Sequence, residues 1–297
     1  MSKYLIFRTD RIGDFLLSAI LVKSIKRNDP DSKIIMVCSI KNFDYVKSFK
    51  FIDEVFLIKN GIFNKLMLLS KLIKNHYKSI IIQDGKKRSS ILSFFLKSKL
   101  KISSDNNLNL SHFQNILEIL KRLNFNFSDD DLNIFENRNL VNKNNFNFDY
   151  SVLHFDEKWI HELYIKNYKN IEPDKNELIS FMNDIIYKSK MNLILTTGKS
   201  CPSVLNNAIS MNLNNNITFY KNLNMFELEE VILNSKLLIS CHGSVSHIAS
   251  GKSIKQIDII DENKKNPYDR WTKHFRNYFP LYRCKFNELS KKIINLL

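Results

Sequence analysis

Several turns in this sequence place polar side chains directly after a strand-like apolar run. The apolar run Leu237–Cys241 is followed by Gly243 and Ser244 and then by a helical pattern. A strand, turn and helix in this order point free backbone N–H groups, and the positive end of the helix dipole, at the edge of a sheet. Such a turn suits an anion such as a diphosphate. The structural alternative is that Ser244 or Ser246 caps the helix and His247 packs beneath it.

A turn near the N-terminus, residues 8–14, holds two carboxylates and two guanidinium groups. It lacks the G-x-G-x-x-G pattern of a dinucleotide site. Gly13 permits a close approach or an unusual backbone angle. Asp14 stands where a helix N-cap is expected, but a carboxylate in a cleft beside Arg8 and Arg11 could also take a proton from a hydroxyl nucleophile. Both interpretations of Asp14 stay open.

Two further turns carry hydroxyl groups and lysines. Residues 195–200 end in Gly-Lys-Ser after a predicted strand, but a P-loop needs a glycine where this chain has Leu193. This turn could still hold phosphate, or it is an ordinary turn with a solvated lysine. Residues 154–159 place Lys158 at the same predicted sheet edge, where the alternative is a solvent-facing lysine beside a packed tryptophan.

Other kinds of site find no support in the pattern. His242 and His247 lack a carboxylate at metal-ligand spacing, and there is no H-E-x-x-H motif, no G-x-S-x-G elbow and no zinc-finger or RNP-like motif. The four cysteines are far apart and are expected to be reduced thiols. The sequence predicts neither a metal site nor a nucleic-acid-binding module.

Composition sets broad limits on the protein. With 297 residues, 44% hydrophobic and 25% charged, the chain is ordinary globular material for about two domains. The formal net charge of +15 would attract phosphorylated partners, either nucleic acid, an anionic membrane surface or a phosphate-bearing substrate. No window approaches 18 uninterrupted apolar residues and the N-terminus lacks a signal-peptide pattern, so we expect a cytoplasmic protein.

Strand and helix patterns alternate along the whole chain, which favours α/β domains with parallel sheets covered on both faces. The polar, Asn-rich stretch at residues 142–147 is the best candidate for a domain junction. We therefore predict one domain over residues 1–147 and a second, ending in an amphipathic helix, over residues 148–297. Ligands are expected beyond the carboxyl ends of the strands, in a cleft between the two domains.

Three motifs together resemble the ADP-heptose:lipopolysaccharide heptosyltransferases, glycosyltransferase family 9. They are Arg-x-Asp-x-Ile-Gly-Asp-x-Leu-Leu at residues 8–17, Lys-Trp at 158–159 and Gly-Ser-x-x-His-x-Ala at 243–249. Their order and spacing cover most of the chain. The resemblance implies a GT-B fold, in which two Rossmann-like doubly wound domains face a central cleft. The acceptor would bind the first domain and the nucleotide-sugar the second, and neither a metal nor a cofactor would be needed.

The resemblance also implies roles for individual residues. Asp14 would be the base that deprotonates the acceptor hydroxyl for an inverting transfer. The residues implied at the donor site are Lys158, Thr196, Thr197, Gly198, His242, Gly243, Ser244, Val245, Ser246 and His247. The residues implied at the acceptor site are Arg8, Asp10, Arg11 and Gly13.

One position departs from the family pattern. The family usually has an acidic residue where this chain has His242, so the sugar is open and heptose is only the family expectation. An acidic lipid-linked glycan at the inner face of the cytoplasmic membrane would fit the positive charge as acceptor. Residues 62–75 are the candidate membrane-facing helix, unless they form a buried helix with solvated lysines. Two alternatives stay open. The protein could be a glycosyltransferase that uses another nucleotide-sugar or acceptor, or it could be a basic nucleic-acid-binding protein on a Rossmann-like scaffold.

Overall fold

The structure, a computed structural model, describes residues 1–104, 110–136, 146–160, 167–211 and 214–297. The chain divides into two compact units, Met1–Asn139 and Leu140–Leu297. Of the predicted junction, residues 142–145 lie outside the described residues, and the boundary near residue 147 stays a prediction. Each unit contains one parallel β-sheet, which confirms the predicted α/β class.

The first unit is a five-stranded sheet in the order β3-β2-β1-β4-β5, and every pair of neighbouring strands is parallel. Its strands are β1 Lys3–Phe7, β2 Lys33–Cys38, β3 Glu54–Leu57, β4 Tyr77–Ile82 and β5 Ser98–Ser103. Its helices are α1 Ile12–Asn28, α2 Phe43–Lys47, α3 Ile62–Leu72, α4 Lys87–Phe94 and α5 His112–Arg122.

The two faces of this sheet carry different helices. Because side chains alternate along a strand, Leu5 and Phe7 of β1 point to one face and Tyr4 to the other. Leu5 and Phe7 belong to an apolar cluster with residues of α3, α4 and the strands. Tyr4 instead contacts Phe125, which follows α5, with ring centroids 6.2 Å apart. Helices α3 and α4 therefore share one face of the first sheet.

The second unit is a six-stranded parallel sheet in the order β11-β10-β9-β6-β7-β8. Its strands are β6 Tyr150–His154, β7 Asn192–Thr196, β8 Ile217–Tyr220, β9 Leu237–Cys241, β10 Lys255–Ile260 and β11 Tyr278–Tyr282. Its helices are α6 Lys175–Ser189, α7 Ser203–Met211, α8 Met225–Leu233, α9 Ser244–Ser250, α10 Lys265–Thr272 and α11 Phe286–Asn295. Helix α11 packs into the core of this unit through Phe286, Leu289 and Ile293.

The strand pattern did not reveal β11. This strand lies at the sheet edge, is partly exposed and contains Pro280, which lacks a backbone donor and is tolerated at edges. Helix α10 was also missed, because its sequence is polar overall and contains Pro267. Among the described residues, no helix is both long and apolar enough to cross a membrane.

The start of α1 corrects the position expected for Asp14. The helix begins at Ile12, so Asp14 is its third residue and Arg11 occupies the N-cap position. The Asp14 carboxylate accepts a hydrogen bond from the Arg11 backbone N–H at 3.1 Å. Asp14 thus accepts the otherwise unpaired N–H of Arg11 from inside the first turn. Its negative charge also interacts favourably with the positive end of the helix dipole.

A buried carboxylate, Asp131, binds the segment after α5 to helix α1. Its two oxygens accept hydrogen bonds from Arg27 at 2.9 and 3.0 Å, and one oxygen also accepts from Ser24 at 2.7 Å and from the Ser128 backbone at 2.9 Å. Burial alone would raise the pKa of Asp131, but these hydrogen bonds, above all those from Arg27, hold it below its usual value. The pair therefore stabilises the fold at neutral pH.

We expect Asp131→Asn to lower the free energy of unfolding by about 2–3 kcal/mol at pH 7, because it removes one partner of a charge pair that solvent reaches only through Arg27. The depressed pKa means that this contribution is present above the carboxylate's unfolded pKa and is lost as the pH falls through the folded value. Urea unfolding followed by circular dichroism measures the change. Glu136→Gln, which removes an exposed partner of Lys23 on the same helix, is the control and should change little. Equal effects of the two substitutions would contradict this account.

Candidate functional site

In the second unit, Lys158 lies against the turn that joins β9 to α9. Its Nζ is 2.7 Å from an Asp156 carboxylate oxygen. A methyl group on Gly243 would lie 2.8 Å from the same Nζ, so the amine is next to the glycine backbone. Burial alone would lower the pKa of Lys158, but the charge and hydrogen bond of Asp156 outweigh it and raise the pKa. Lys158 therefore brings a fixed positive charge to the turn at Gly243.

Two buried residues hold this lysine in place. Asp156 also accepts a hydrogen bond from the Lys158 backbone N–H at 3.1 Å. Arg283, which follows β11, donates from Nη2 to the Lys158 carbonyl at 2.6 Å, and its guanidinium lies over the Tyr168 ring at 4.9 Å from the centroid. Trp159 is fully buried and stacks on Phe155, so it is the packed tryptophan that the alternative for residues 154–159 predicted. Lys158 itself is largely enclosed, with 19% of its side chain exposed.

A second carboxylate, Asp258 of β10, organises the far side of the same turn. It is completely buried and accepts hydrogen bonds from Ser246 at 2.8 Å and from the Tyr278 hydroxyl at 3.2 Å. The His242 Nδ1 lies 2.6 Å from it. Burial, reinforced by the Asp258 charge, raises the pKa of Tyr278, which keeps that phenol protonated as a donor. Asp258 thus fixes the ring orientation of His242 and the start of α9 together.

Aromatic side chains enclose the imidazole of His242. Trp271 stacks on it, with centroids 5.9 Å apart and planes within 10°. Tyr268 and His247 meet its ring at centroid distances of 5.0 and 5.6 Å, and Phe275 lies at 6.4 Å. Only 7% of the His242 side chain is exposed. The ring is therefore held rigidly at the turn.

The turn itself is partly used by internal hydrogen bonds. Ser246 accepts from the Gly243 N–H at 3.2 Å, so this N–H is not free and Ser246 has the capping role that the structural alternative gave it. Val245, Ser246 and His247 are buried, whereas Gly243 and Ser244 are only half-buried. Of the predicted donor residues in this turn, Gly243 and Ser244 reach the surface beside Lys158.

The turn after β7 is arranged differently from what a phosphate site would need. Thr196 and Thr197 are buried. Thr197 accepts from the backbone of Asn222 at 3.2 Å. The Glu157 carboxylate fills the turn itself: it accepts from the Ser200 N–H at 2.9 Å, and a methyl group on Gly198 would collide with it. A protein carboxylate therefore occupies the place at which this turn would hold an anion.

His154, at the end of β6, connects this turn to Lys158. Its Nδ1 lies 2.9 Å from the Thr196 hydroxyl, and its Nε2 lies 3.7 Å from Asp156. Burial lowers the pKa of His154 to about 4, so the imidazole is neutral at pH 7. Thr196 is thus connected to Lys158 indirectly, through the buried side chains of His154 and Asp156.

In the first unit, the residues predicted to bind the acceptor are mostly braced by other protein groups. Arg8 is buried and donates to Ser18 at 2.7 Å and to the Gln83 carbonyl at 2.7 Å. Asp10 pairs with Arg8 and with Lys86. Arg11 is exposed, and Gly13 lies inside α1 with no positive φ. Gly13 therefore retains only the close-approach role.

A pocket of ≈ 760 Å³ opens at the carboxyl ends of β1, β2 and β3 in the same unit. It is lined by Thr9, Ser39, Ile40, Lys41, Leu57, Ile58, Lys59, Asn60, Lys86 and Arg88. Four of these side chains are cationic and none is acidic. The predicted acceptor residues Arg8, Asp10, Arg11 and Gly13 are not among the lining residues, but Thr9, which lies between Arg8 and Asp10, is. Its chemistry suits an anionic ligand.

The pattern missed Asp156, Asp258 and Arg283. Asp156 stands in the quoted motif at residues 154–159, where attention fell on the lysine. Asp258 had a usable signal, since a carboxylate between two isoleucines of a predicted buried strand requires partners, although the sequence does not say which. Arg283 had none, because it follows the unpredicted β11. Among the described residues, no three metal-ligating side chains are close enough to hold a metal ion.

Comparison of the sequence with protein-family models finds no match, and comparison with curated proteins finds none either. Solved structures do match. The E. coli heptosyltransferase WaaC with ADP has a TM-score of 0.72 and 12% identity, covering 99% of this chain and 100% of that one. A glycosyltransferase family 9 protein from Veillonella parvula has a TM-score of 0.69 and 11% identity, covering 99% and 91%. The E. coli ADP-heptose LPS heptosyltransferase II has a TM-score of 0.64 and 8% identity, covering 100% and 98%.

At these identities the similarity is one of fold, and it extends over the whole chain. The two parallel-sheet units and these neighbours confirm the architecture that the sequence motifs implied. The chain has the GT-B fold, as the glycosyltransferase family 9 heptosyltransferases do.

Proposed function

We propose that the protein is an inverting glycosyltransferase that moves a sugar from a nucleoside-diphosphate donor to a glycan acceptor. The observation that carries the proposal is the cationic Lys158, held by Asp156 against the half-buried Gly243 turn. A preformed positive charge at a strand-to-helix turn is what a departing diphosphate requires. The fold supports the same class of reaction.

The donor would bind at the carboxyl edge of the second sheet. Lys158 and Ser244 would contact the diphosphate, and the enclosed His242 would hold the turn in shape beside the sugar. Adenine is the base we favour, because the neighbour WaaC was solved with ADP. Heptose is the family expectation, while His242 in place of an acidic residue favours testing other sugars as well. Thr196, Thr197 and Gly198 would act indirectly, through His154 and Glu157.

The acceptor would bind the first unit. The cation-lined pocket supports an acidic glycan, such as a phosphorylated lipopolysaccharide-type acceptor. Asp14 would remove the proton from the attacking hydroxyl. We propose that the transfer needs no metal or other cofactor, since Lys158 and the Gly243 turn would stabilise part of the charge that develops on the leaving diphosphate. A lipid-linked acceptor would place the enzyme at the inner face of the cytoplasmic membrane.

The direct test is calorimetric titration of the protein with ADP, UDP, GDP and CMP, with EDTA present. Binding of ADP alone supports the donor site, and an ADP-heptose titration then tests the sugar. Binding of a different nucleotide would redirect the donor assignment. If none binds while DNA or RNA does with a steep salt dependence, the nucleic-acid alternative replaces the transferase.

We expect Lys158→Gln to weaken nucleoside-diphosphate binding about 10- to 100-fold, because it removes a charge-assisted contact. Lys199→Gln is the matched control: this lysine is exposed in the neighbouring turn after β7 and should leave binding unchanged. Thermal unfolding in the absence of nucleotide reports whether the loss of the Asp156 partner disturbs the fold. Similar nucleotide affinities for the two variants would remove Lys158 from the site.

Asp14→Asn should reduce the rate of sugar transfer about 10²- to 10⁴-fold while nucleotide binding and stability stay close to wild type. Asparagine keeps an oxygen that can accept the Arg11 N–H, so the helix start is preserved while the base is lost. Asp14→Ala removes both, and should in addition lower the melting temperature. If Asp14→Asn transfers sugar at the wild-type rate, Asp14 is only a helix-capping residue.

A further inference from the structure

Helix α3 exposes an apolar face. Its buried side is formed by Leu68 and Leu72, which pack in the core of the first unit. Four apolar side chains point away from that core and are largely exposed: Ile62 (77%), Phe63 (72%), Leu66 (57%) and Met67 (46%). They occupy positions i, i+1, i+4 and i+5, so they form one continuous patch. The helix is therefore buried on one side only.

Helix α4 also exposes apolar side chains. Ile91 within α4, Phe94 at its end and Phe95 just after it are all more than half exposed, and the two phenylalanine ring centroids are 5.5 Å apart. Helices α3 and α4 share one face of the first sheet, as their common core cluster shows. Exposed apolar side chains grouped on one face in this way mark an interaction site more often than scattered ones do. We call these seven residues the α3–α4 surface.

The charge of the same segment is strongly one-sided. Residues 59–101, which span α3, β4, α4 and most of β5, contain ten lysines and one arginine. Their single carboxylate, Asp84, accepts hydrogen bonds from Thr9 and Ser89. Lys71 and Lys74 lie on or just after α3 and are exposed, as are Lys87 and Lys97 around α4. The segment that carries the α3–α4 surface therefore has eleven cationic side chains against one carboxylate, and two of its lysines, Lys78 and Lys86, pair with Asp29 and Asp10 of other segments.

These two properties select one occupant. A second copy of the chain would bring two strongly positive faces together, and like charges across an interface are costly. A bilayer that contains anionic lipid offers negative headgroups to the lysines. Just below the headgroups, it offers acyl chains to the apolar side chains. We infer that the α3–α4 surface docks the protein on an anionic membrane, with Ile62, Phe63 and Leu66 inserted and the surrounding lysines at the headgroups.

This inference goes beyond the proposed transfer reaction, because it involves neither Lys158 nor the Gly243 turn. If α3 lies on the membrane, the pocket lined by Lys59 is close to the lipid, because Lys59 precedes the start of α3 by only three residues. An acceptor anchored in the bilayer would then present its acidic groups at the level of that pocket.

The test is co-sedimentation of the full-length protein with vesicles of phosphatidylcholine, with or without phosphatidylglycerol, in the absence of nucleotide and acceptor. Wild-type protein should bind only the vesicles with phosphatidylglycerol. The variant I62S/F63S/L66S and the variant K65Q/K71Q/K74Q should each bind roughly 100-fold more weakly. Binding of the lysine variant should be the less sensitive to salt. The variant Y187S/M211S, with two exposed apolar residues of the second unit replaced, should bind like wild type.

Three results would overturn the inference. They are failure of the wild type to bind phosphatidylglycerol vesicles, unchanged binding of both α3 variants, and an equal loss in Y187S/M211S. A wild-type dimer that I62S/F63S/L66S converts to a monomer, with vesicle binding intact, would assign the surface to a second copy. Since no substrate is present, the outcome is independent of the nucleotide titrations.

Discussion

The position of one buried ammonium group is the constraint on which the edge of the second sheet depends. Lys158 can stay charged in this enclosed place because Asp156 lies 2.7 Å from its Nζ. Such a pair adds little net stability, since desolvating both charges costs about as much as their attraction returns. Its value is positional: a charge fixed beside Gly243 needs no rearrangement when an anion arrives. Asp156, Arg283 and Asp258 are all explained by the need to hold this lysine and the turn that it faces.

The positive charge of the protein occurs in two different arrangements, which suit the two uses proposed above. At the Gly243 turn, a single cation is enclosed, paired and oriented, as a binding site for one phosphate-bearing ligand requires. Around the α3–α4 surface, Lys71, Lys74, Lys87 and Lys97 are exposed, as the proposed attraction to an extended anionic surface requires. The net charge of +15 alone could not separate these uses. Only the distribution of burial and pairing along the fold does so.

The elements that could be predicted were those with a strong local signal. Buried parallel strands such as Leu237–Cys241 are continuous apolar runs, and the alternation of strands and helices determined the α/β class. The start of α1 was misplaced because Arg11 is an unusual residue at an N-cap. The edge strand β11 was missed because an edge strand with a proline has no continuous apolar pattern. Lys158 and Gly243 were found, but their approach depends on two strands far apart in sequence. Asp258 was missed for the same reason, since its partners lie 12, 16 and 20 residues away along the chain.

The central claim is that Lys158 and the Gly243 turn receive the diphosphate of a nucleotide-sugar. A crystal structure of the protein grown with ADP tests it most directly. The account predicts a phosphate oxygen within about 3 Å of Lys158 Nζ, with Ser244 beside it. A diphosphate bound elsewhere on the chain, with Lys158 still paired only to Asp156, would contradict the account.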